Sequence, residues 1–456
     1  MRRIALPILL LALAAAPSAH AAKTVVVRGA GFGHGIGMSQ YGAYGFAKQG
    51  FDYRKILRHY YTGTSLGQAP NRNVRVLLQA SDRYVRFRGA TGGPGDSELN
   101  PSTTYKVTRT RGGRLKLTGR GKKVGTFIAP LRVSGRALRL MGPAINGVTS
   151  GLYRGSLELH PGVGGGVTAV NSLPLDPYVQ GVVPGEVPSS WDEAALRAQA
   201  VAARSYALAT RKSGGVFDQY PDTRSQVYRG ITAETPRTNA AVRATAGEVV
   251  THEGDPAVTY FFSTSGGKTE NVELSFLGSA PKPWLKSVED PYDGISPKHR
   301  WRFRFTPKRL GARLGAPGKF RKIRVIKRGK SPRIVRARVY GSRGTRVLTG
   351  AQIRARLGLY DTWAYFTVVS SSRAKRSAAV RTSTQAGKVA RRGIRGVFDP
   401  APRSRSLLVE RRVGGRWRLA GRVQTTRAGR YLAPLAAKGV YRVRAGSVAG
   451  PAVRVG

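Results

Sequence analysis

The stretch Asp176-Pro-Tyr-Val-Gln-Gly-Val-Val-Pro-Gly-Glu-Val-Pro-Ser-Ser-Trp191, running on into Ala195-Leu-Arg-Ala-Gln-Ala-Val-Ala-Ala-Arg-Ser-Tyr206, decides how this chain is read. Ser190 and Glu193 have the Ser-x-x-Glu spacing of a capping box, so a helix is expected behind them over Ala194 to Thr210, ended by Gly214-Gly215. So many alanines predict a helix buried on most sides, with its polar members Gln199 and Arg204 facing something specific. Glu186 stands between Pro184 and Pro188, among Val183, Val187 and Trp191, just before a helix N-terminus, where it reads either as a helix-capping glutamate or as a reactive group. Apolar neighbours raise a carboxyl pKa by desolvating the anion, whereas a following helix N-terminus lowers it. The sequence does not rank these two effects.

Outward from that stretch, Thr24 to Arg28 reads as a β-branched strand, followed by a glycine-rich loop from Gly29 to Gly37. A helix is expected from Met38 to about Gln49. A second has Asp52 as N-cap, with Phe51 and Ile56 placed as a hydrophobic staple. From Asn73 to about Leu159, short apolar alternations separated by turn residues predict an all-β module. Strand is expected at Val258 to Ser263, a short helix at Gly350 to Leu357, and a strand at Trp363 to Val369. Short strands at Ser406 to Glu410, Arg416 to Ala420 and Val440 to Val443 read as a small C-terminal β-sandwich. The fold class is therefore α+β. A core over 22–72 and 161–370 holds a β module inserted at 73–160. A linker at 371–379 and a separate β-sandwich at 380–456 complete the chain.

Met1-Arg2-Arg3, the apolar run from Ile4 to Ala16, and Ala19-His20-Ala21 form the three parts of a secretory signal peptide, so residues 1–21 are read as removed on export. No later apolar run is long enough to span a bilayer, and the mature chain is expected to be secreted and wall-associated. The chain has no cysteine, which excludes disulfides, thiolate nucleophiles and cysteine-ligated zinc. Its net charge of +55 comes from 78 Lys and Arg against 23 Asp and Glu. In a cytosolic protein this would suggest nucleic acid. For an exported one it points to anionic wall polymers and peptidoglycan carboxylates instead.

Four blocks carry a resemblance. They are Gly31-Phe-Gly-His-Gly-Ile-Gly-Met-Ser-Gln-Tyr-Gly-Ala43, the stretch from Asp176 to Tyr206, Gln226-Val-Tyr-Arg-Gly230, and Tyr260-Phe-Phe-Ser-Thr-Ser-Gly-Gly-Lys-Thr269. The first has no G-x-G-x-x-G placement, so a dinucleotide site is a weak reading of it. Together the blocks look like the signature of the stage II sporulation protein D / amidase-enhancer (SpoIID/LytB) family, over roughly residues 24–66 and 167–369. Sporulation-type members are lytic transglycosylases that cut peptide-free glycan strands of peptidoglycan. Enhancer-type members boost a partner N-acetylmuramoyl-L-alanine amidase. The resemblance implies Glu186 as catalytic acid and base. It implies substrate contacts at Arg204, Gln199, Gln226, Tyr228, Ser263, Ser265, Gly266, Gly267, His34 and Gln40, with no metal and no cofactor. Arg204 is expected to meet sugar or lactyl carboxylate rather than pair with Glu186, and Tyr228 to line the groove. A histidine in such a loop also has a purely structural reading.

One carboxylate suffices for this chemistry. An ordinary glycosidase needs two. In a lytic transglycosylase the sugar's own 6-hydroxyl attacks C1, so one group can protonate the leaving oxygen and then accept the hydroxyl proton. The leading expectation is thus an exported lytic transglycosylase producing 1,6-anhydromuramyl ends. The alternative is a non-catalytic wall-binding or amidase-enhancing protein. Two departures from the family pattern stand out. The Gly-His-Gly block precedes the Ser-Gly-Gly block here, as in a circular permutation, which predicts that Thr24–Arg28 lies beside Trp363–Val369. The Cys/His metal site of some members cannot be built without cysteine.

Overall fold

The computed structural model describes residues 22–69, 72–212, 214–374 and 392–456. The expected signal peptide, and residues 375–391 around the expected linker, lie outside the described residues. Among the described residues the architecture is mixed α+β, with eight helices, many short-stranded sheets and no closed barrel.

Helices α1 (Gln40–Lys48), α2 (Tyr53–Tyr60), α3 (Leu175–Glu186), α4 (Glu193–Ala209) and α5 (Pro236–Arg243) form the centre. Eleven of the residues of α4 are buried, so it is a shared wall and not a surface helix. Ala195, Leu196, Ala200, Ala203 and Ala207 face a core built with α3 and the β module, while Ala198, Val201 and Ala202 face a second core built with α1 and α2. Alanine lets elements approach on both sides without losing helix propensity.

Local chemistry shifts some boundaries. The α4 helix is capped by Asp192, with no side-chain cap bond, and not by the expected Ser190. Ser190 is exposed in a turn closed by Trp191 N–H on the Pro188 carbonyl at 3.1 Å. Met38–Ser39 is not helical but pairs in parallel with Phe261–Phe262, the only strand found in the expected Val258–Ser263 span. The first helix begins at Gln40, with Ser39 Oγ accepting from Gly42 N–H at 3.1 Å. Asp52 caps α2 as expected, accepting from Lys55 N–H at 2.7 Å. Further short helices lie at Val272–Ser275, Pro307–Leu314 and, as expected, Gly350–Leu357.

The β module of 73–160 runs without a break into the helical centre. Its strand Asn73–Asp82 pairs with Val167–Pro174, which also pairs with Ser156–Pro161 and then turns directly into α3. The module and the helix pair share one apolar core.

A five-stranded sheet runs in the order Arg300–Phe305, Ala22–Ala30, Ala364–Ala374, Arg392–Asp399, Arg430–Leu435. The first and late strands of the chain are thus antiparallel neighbours, with Thr24 opposite Val369 and Arg28 opposite Tyr365, the adjacency expected of them. Residues 371–374, read as linker, are strand and pair with 393–396. Two of the C-terminal strands therefore extend this sheet. A second sheet, including Ser406–Val413, Arg416–Gln424 and Gly439–Ala445, encloses a core with it that includes Val26 and Val369.

Gly29 in the first strand has no room for a side chain: a Cβ would lie 2.1 Å from the Trp301 ring and 2.4 Å from the Trp363 carbonyl. Gly29→Ala should lower stability by about 1–3 kcal/mol through overpacking. Gly294→Ala, at a site open to at least 4 Å, should be near neutral. Chemical denaturation of the two variants checks this, and equal stabilities would contradict it.

Candidate functional site

Glu186 is the last residue of α3, at the carbonyl end of the helix and seven positions before α4 begins. This settles the conflict left open by the sequence. The helix end beside it carries negative partial charge and does not favour the anion. Burial raises its pKa above the ordinary carboxylate value, against smaller lowering effects of the Val227 and Gln40 hydrogen bonds and the Arg229 charge. The residue nevertheless keeps part of its surface at solvent and is not sealed in the core.

Its two oxygens are unlike. Oε1 accepts the Val227 backbone N–H at 2.7 Å, and Oε2 receives only the Gln40 amide at 3.4 Å. A proton on the neutral acid therefore belongs on Oε2. The Val227 hydrogen bond depends on two glycines one helical turn apart in α3. A Cβ on Gly181 would meet the Tyr228 ring at 2.5 Å, and one on Gly185 the Val227 carbonyl at 2.5 Å. Only glycine there lets the Gln226–Gly230 segment lie against the helix.

The other expected contacts divide by burial. Gln40 is buried at the start of α1, and its Nε2 also donates to Gln199 Oε1 at 3.4 Å. Gln199, on α4, is buried, and its own Nε2 has no hydrogen-bond partner among the described residues. Gln40 thus reaches Glu186 directly, and Gln199 reaches it only through Gln40. Arg204 does not, which corrects the expectation of a sugar contact. It is 0% exposed, gives Nε to Asp176 Oδ1 at 2.6 Å, and its terminal nitrogens reach the carbonyls of Glu248 and Val242. A guanidinium with that many internal acceptors in a dry site is a structural tie. Asp176 and Glu186 are ten residues apart on one helix, about 15 Å. Tyr228 is likewise buried, donating to Asn171 Oδ1 at 2.6 Å, and does not line a groove. Gln226 is also fully buried, clamped between the Ala203 carbonyl at 3.2 Å and Tyr178 Oη at 3.3 Å. It aims the next residue's N–H at Glu186 and does not face solvent.

His34 takes its structural reading. Its Nδ1 accepts from Ile36 N–H and its Nε2 donates to the Phe261 carbonyl, both at 3.1 Å, among Tyr260, Phe262 and Phe276. Burial pushes its pKa down to about 3, so the ring is neutral. The glycines at 31, 33, 35 and 37 all have positive φ. At Gly37 a Cβ would sit 2.1 Å from the Tyr260 carbonyl.

The Ser-Gly-Gly turn serves a carboxylate that the sequence reading missed. Asp293, 0% exposed, accepts the N–H groups of Ser265 at 2.9 Å and Gly266 at 2.8 Å, the Ser39 hydroxyl at 3.2 Å and His299 Nδ1 at 2.7 Å. Ser265 Oγ accepts from Gly267 N–H. Ser265 and Gly266 are buried, whereas Ser263 and Gly267 are half-buried. Because Ser39 caps α1, this buried cluster positions the helix that brings Gln40 to Glu186. The signal for it was present: acids are rare in this chain, and Asp290 and Asp293 stand close together. Arg229, exposed in the third block, was also missed as a candidate, although its charge acts on Glu186.

Half-exposed aromatic rings lie on elements flanking Glu186. Tyr44 stacks on Trp191 at 4.6 Å with Tyr41 edge-on at 5.0 Å, and Tyr206 meets Tyr260 and Phe261. Among the described residues no cluster of metal-ligating side chains is found, and no helix is long and apolar enough to cross a membrane.

Asp290, bonded to Tyr60 Oη at 2.9 Å, has its pKa raised to about 7 by burial and then by the Asp293 charge. Its folded pKa exceeds the unfolded value, so the fold loses stability as pH rises from about 4 through 7. Asp290→Asn should therefore melt above the parent at pH 8, and this advantage should vanish by pH 4. Thermal melts across that range check it, and a pH-independent difference would contradict it.

Residues 163–252 match the family model described as Stage II sporulation protein. The chain is 33% identical over 214 residues to the Stage II sporulation protein D of Bacillus subtilis (strain 168), covering 42% of this chain and 60% of that protein. It is 32% identical over 213 residues to the protein of the same name from Bacillus amyloliquefaciens, covering 42% and 59%. It is also 38% identical over 120 residues to the Amidase enhancer of Bacillus subtilis (strain 168), covering 25% of this chain and 16% of that one. The match thus spans about three-fifths of the sporulation proteins' length. Over its matched domain the chain is thus similar to the stage II sporulation protein D and amidase-enhancer proteins.

Proposed function

We propose that the protein is an exported lytic transglycosylase that cuts peptide-free glycan strands of peptidoglycan, with Glu186 as the single acid and base. The observation that carries this reading is a carboxyl with raised pKa, one oxygen pinned by a backbone N–H and the other weakly held. Such a group is neutral more of the time near neutral pH than an ordinary glutamate, which is what a proton donor needs. Glu186 Oε2 gives its proton to the glycosidic oxygen as the C1–O bond breaks. The muramic acid 6-hydroxyl oxygen then bonds to C1 and its proton passes to Glu186, leaving a 1,6-anhydro end and consuming no water. This route needs one carboxylate, where an ordinary glycoside hydrolysis needs two.

Gln40 holds the carboxyl, and Gln199 holds Gln40 in turn. The exposed Arg229 takes the role first expected of Arg204, pairing with the lactyl carboxylate. The half-exposed rings of Tyr41, Tyr44 and Tyr206 suit stacking against sugar faces. The similarity to an amidase enhancer supports a second reading, in which the same surface binds glycan without cutting it and serves a partner amidase.

The test is purified protein incubated with peptide-free glycan strands and the products analysed by mass spectrometry. Anhydromuramyl ends should form, and should fall by at least about a hundredfold in Glu186→Gln. Arg229→Gln should raise KM several-fold more than it lowers kcat. Retained glycan binding with no anhydro product from the parent protein would overturn the catalytic reading in favour of the enhancer one.

A further inference from the structure

The C-terminal strands are strongly basic. Residues 392–456 contain fourteen arginines and one lysine against only Asp399 and Glu410. Pairing register sorts these charges by face. Leu407, Val409, Tyr441 and Val443 point into the core. Alternation and the pairings Leu408–Arg422, Leu408–Arg444, Glu410–Arg442 and Arg412–Trp417 therefore place Arg412, Arg422, Arg442 and Arg444 together on the opposite, outward face.

This face is organised. Glu410, its one acid, is buried beneath two of the arginines, accepting Arg442 Nε and Arg444 Nε at 2.6 Å each. The Arg442 guanidinium also lies 4.2 Å from the Trp417 ring centroid. Two planar forks are thus held side by side. Arg442 keeps both Nη nitrogens, and Arg444 one of its two, outside any hydrogen bond with the described residues. Positive charge is in excess even locally: burial, and then the neighbouring Arg302 and Arg442, push the Arg304 guanidinium pKa down. A fixed pair of forks with free terminal N–H groups matches the oxygens of a phosphodiester, and arginine in preference to lysine is the residue for that geometry.

We propose that this outward face binds a linear phosphodiester polymer of the cell wall, and so holds the protein on its substrate surface. The inference is independent of whether Glu186 cleaves glycan. It uses a different ligand and a surface outside the matched family domain.

The experiment measures binding of the full chain to poly(glycerol phosphate) by titration over a salt series, with duplex DNA and polymer-free glycan strands as parallel probes. The variant Arg412→Gln/Arg422→Gln/Arg442→Gln/Arg444→Gln with Glu410→Gln removes the face without stranding the acid. Its control is Arg86→Gln/Arg88→Gln/Arg139→Gln, which removes the same net charge from exposed positions of the β module. The face variant should lose at least about tenfold in affinity, and its salt slope should fall by roughly 0.7 for each phosphate it no longer neutralises, while the control changes little. Should the face variant fail to fold, Arg412→Gln/Arg422→Gln, which leaves Glu410 paired, should show about half the loss in slope. Equal losses in face variant and control would overturn the proposal in favour of bulk charge. Equal or tighter binding of duplex DNA would overturn it in favour of nucleic acid.

Discussion

The buried guanidinium of Arg204 is the constraint on which the rest of the structure depends. It sits inside α4, where it has no water, and it must be met by protein oxygens. It finds them on three other elements: Asp176 at the start of α3, the carbonyl of Val242 on α5, and that of Glu248 on the strand after α5. Losing such a partner inside a protein costs about 3–5 kcal/mol, because a buried charge is left uncompensated. Fixing the first turn of α3 also fixes where its last residue arrives. That residue is Glu186.

From there the site is assembled by packing. The alanines of α4 let α1 approach on one side and α3 on the other, so an amide on α1 meets the carboxyl at the end of α3 and is itself held by an amide on α4. Gly181 and Gly185 clear a path for the Gln226–Gly230 segment, and buried Gln226 sets its height so that Val227 N–H meets Oε1. Beneath α1, the carboxylate of Asp293 gathers Ser39 and the Ser-Gly-Gly turn, and so holds the helix that presents Gln40. Much of what resembles a binding motif in the sequence is support for one side chain.

That distinction explains how far the site was legible in advance. The α4 helix, the Asp52 cap, the Gly350–Leu357 helix and the adjacency of the first and late strands were readable, because they rest on periodicity, capping chemistry and motif order. Glu186 was singled out by the motif that carries the resemblance, since its apolar, proline-flanked setting alone left a capping role open. The roles of Arg204, Gln226 and Tyr228 were not, since a polar residue in a motif looks the same whether it faces substrate or ties two helices together. Asp293 was invisible for the opposite reason: it lies outside the four motif blocks, and only the fold brings it under Ser265. The capping box at Ser190 failed because Asp192, two residues nearer the helix, was equally suited. The C-terminal strands were read as a separate sandwich, yet two of them continue the sheet that also holds the first strand.

The most direct test of the account is a carbon-13 NMR titration of glutamate side-chain carboxyls in the intact protein. One resonance should titrate clearly above the ordinary glutamate range, and that resonance should be absent from Glu186→Gln. If every glutamate titrates at or below the ordinary range, Glu186 is a plain surface carboxylate. The proton chemistry assigned to it is then wrong.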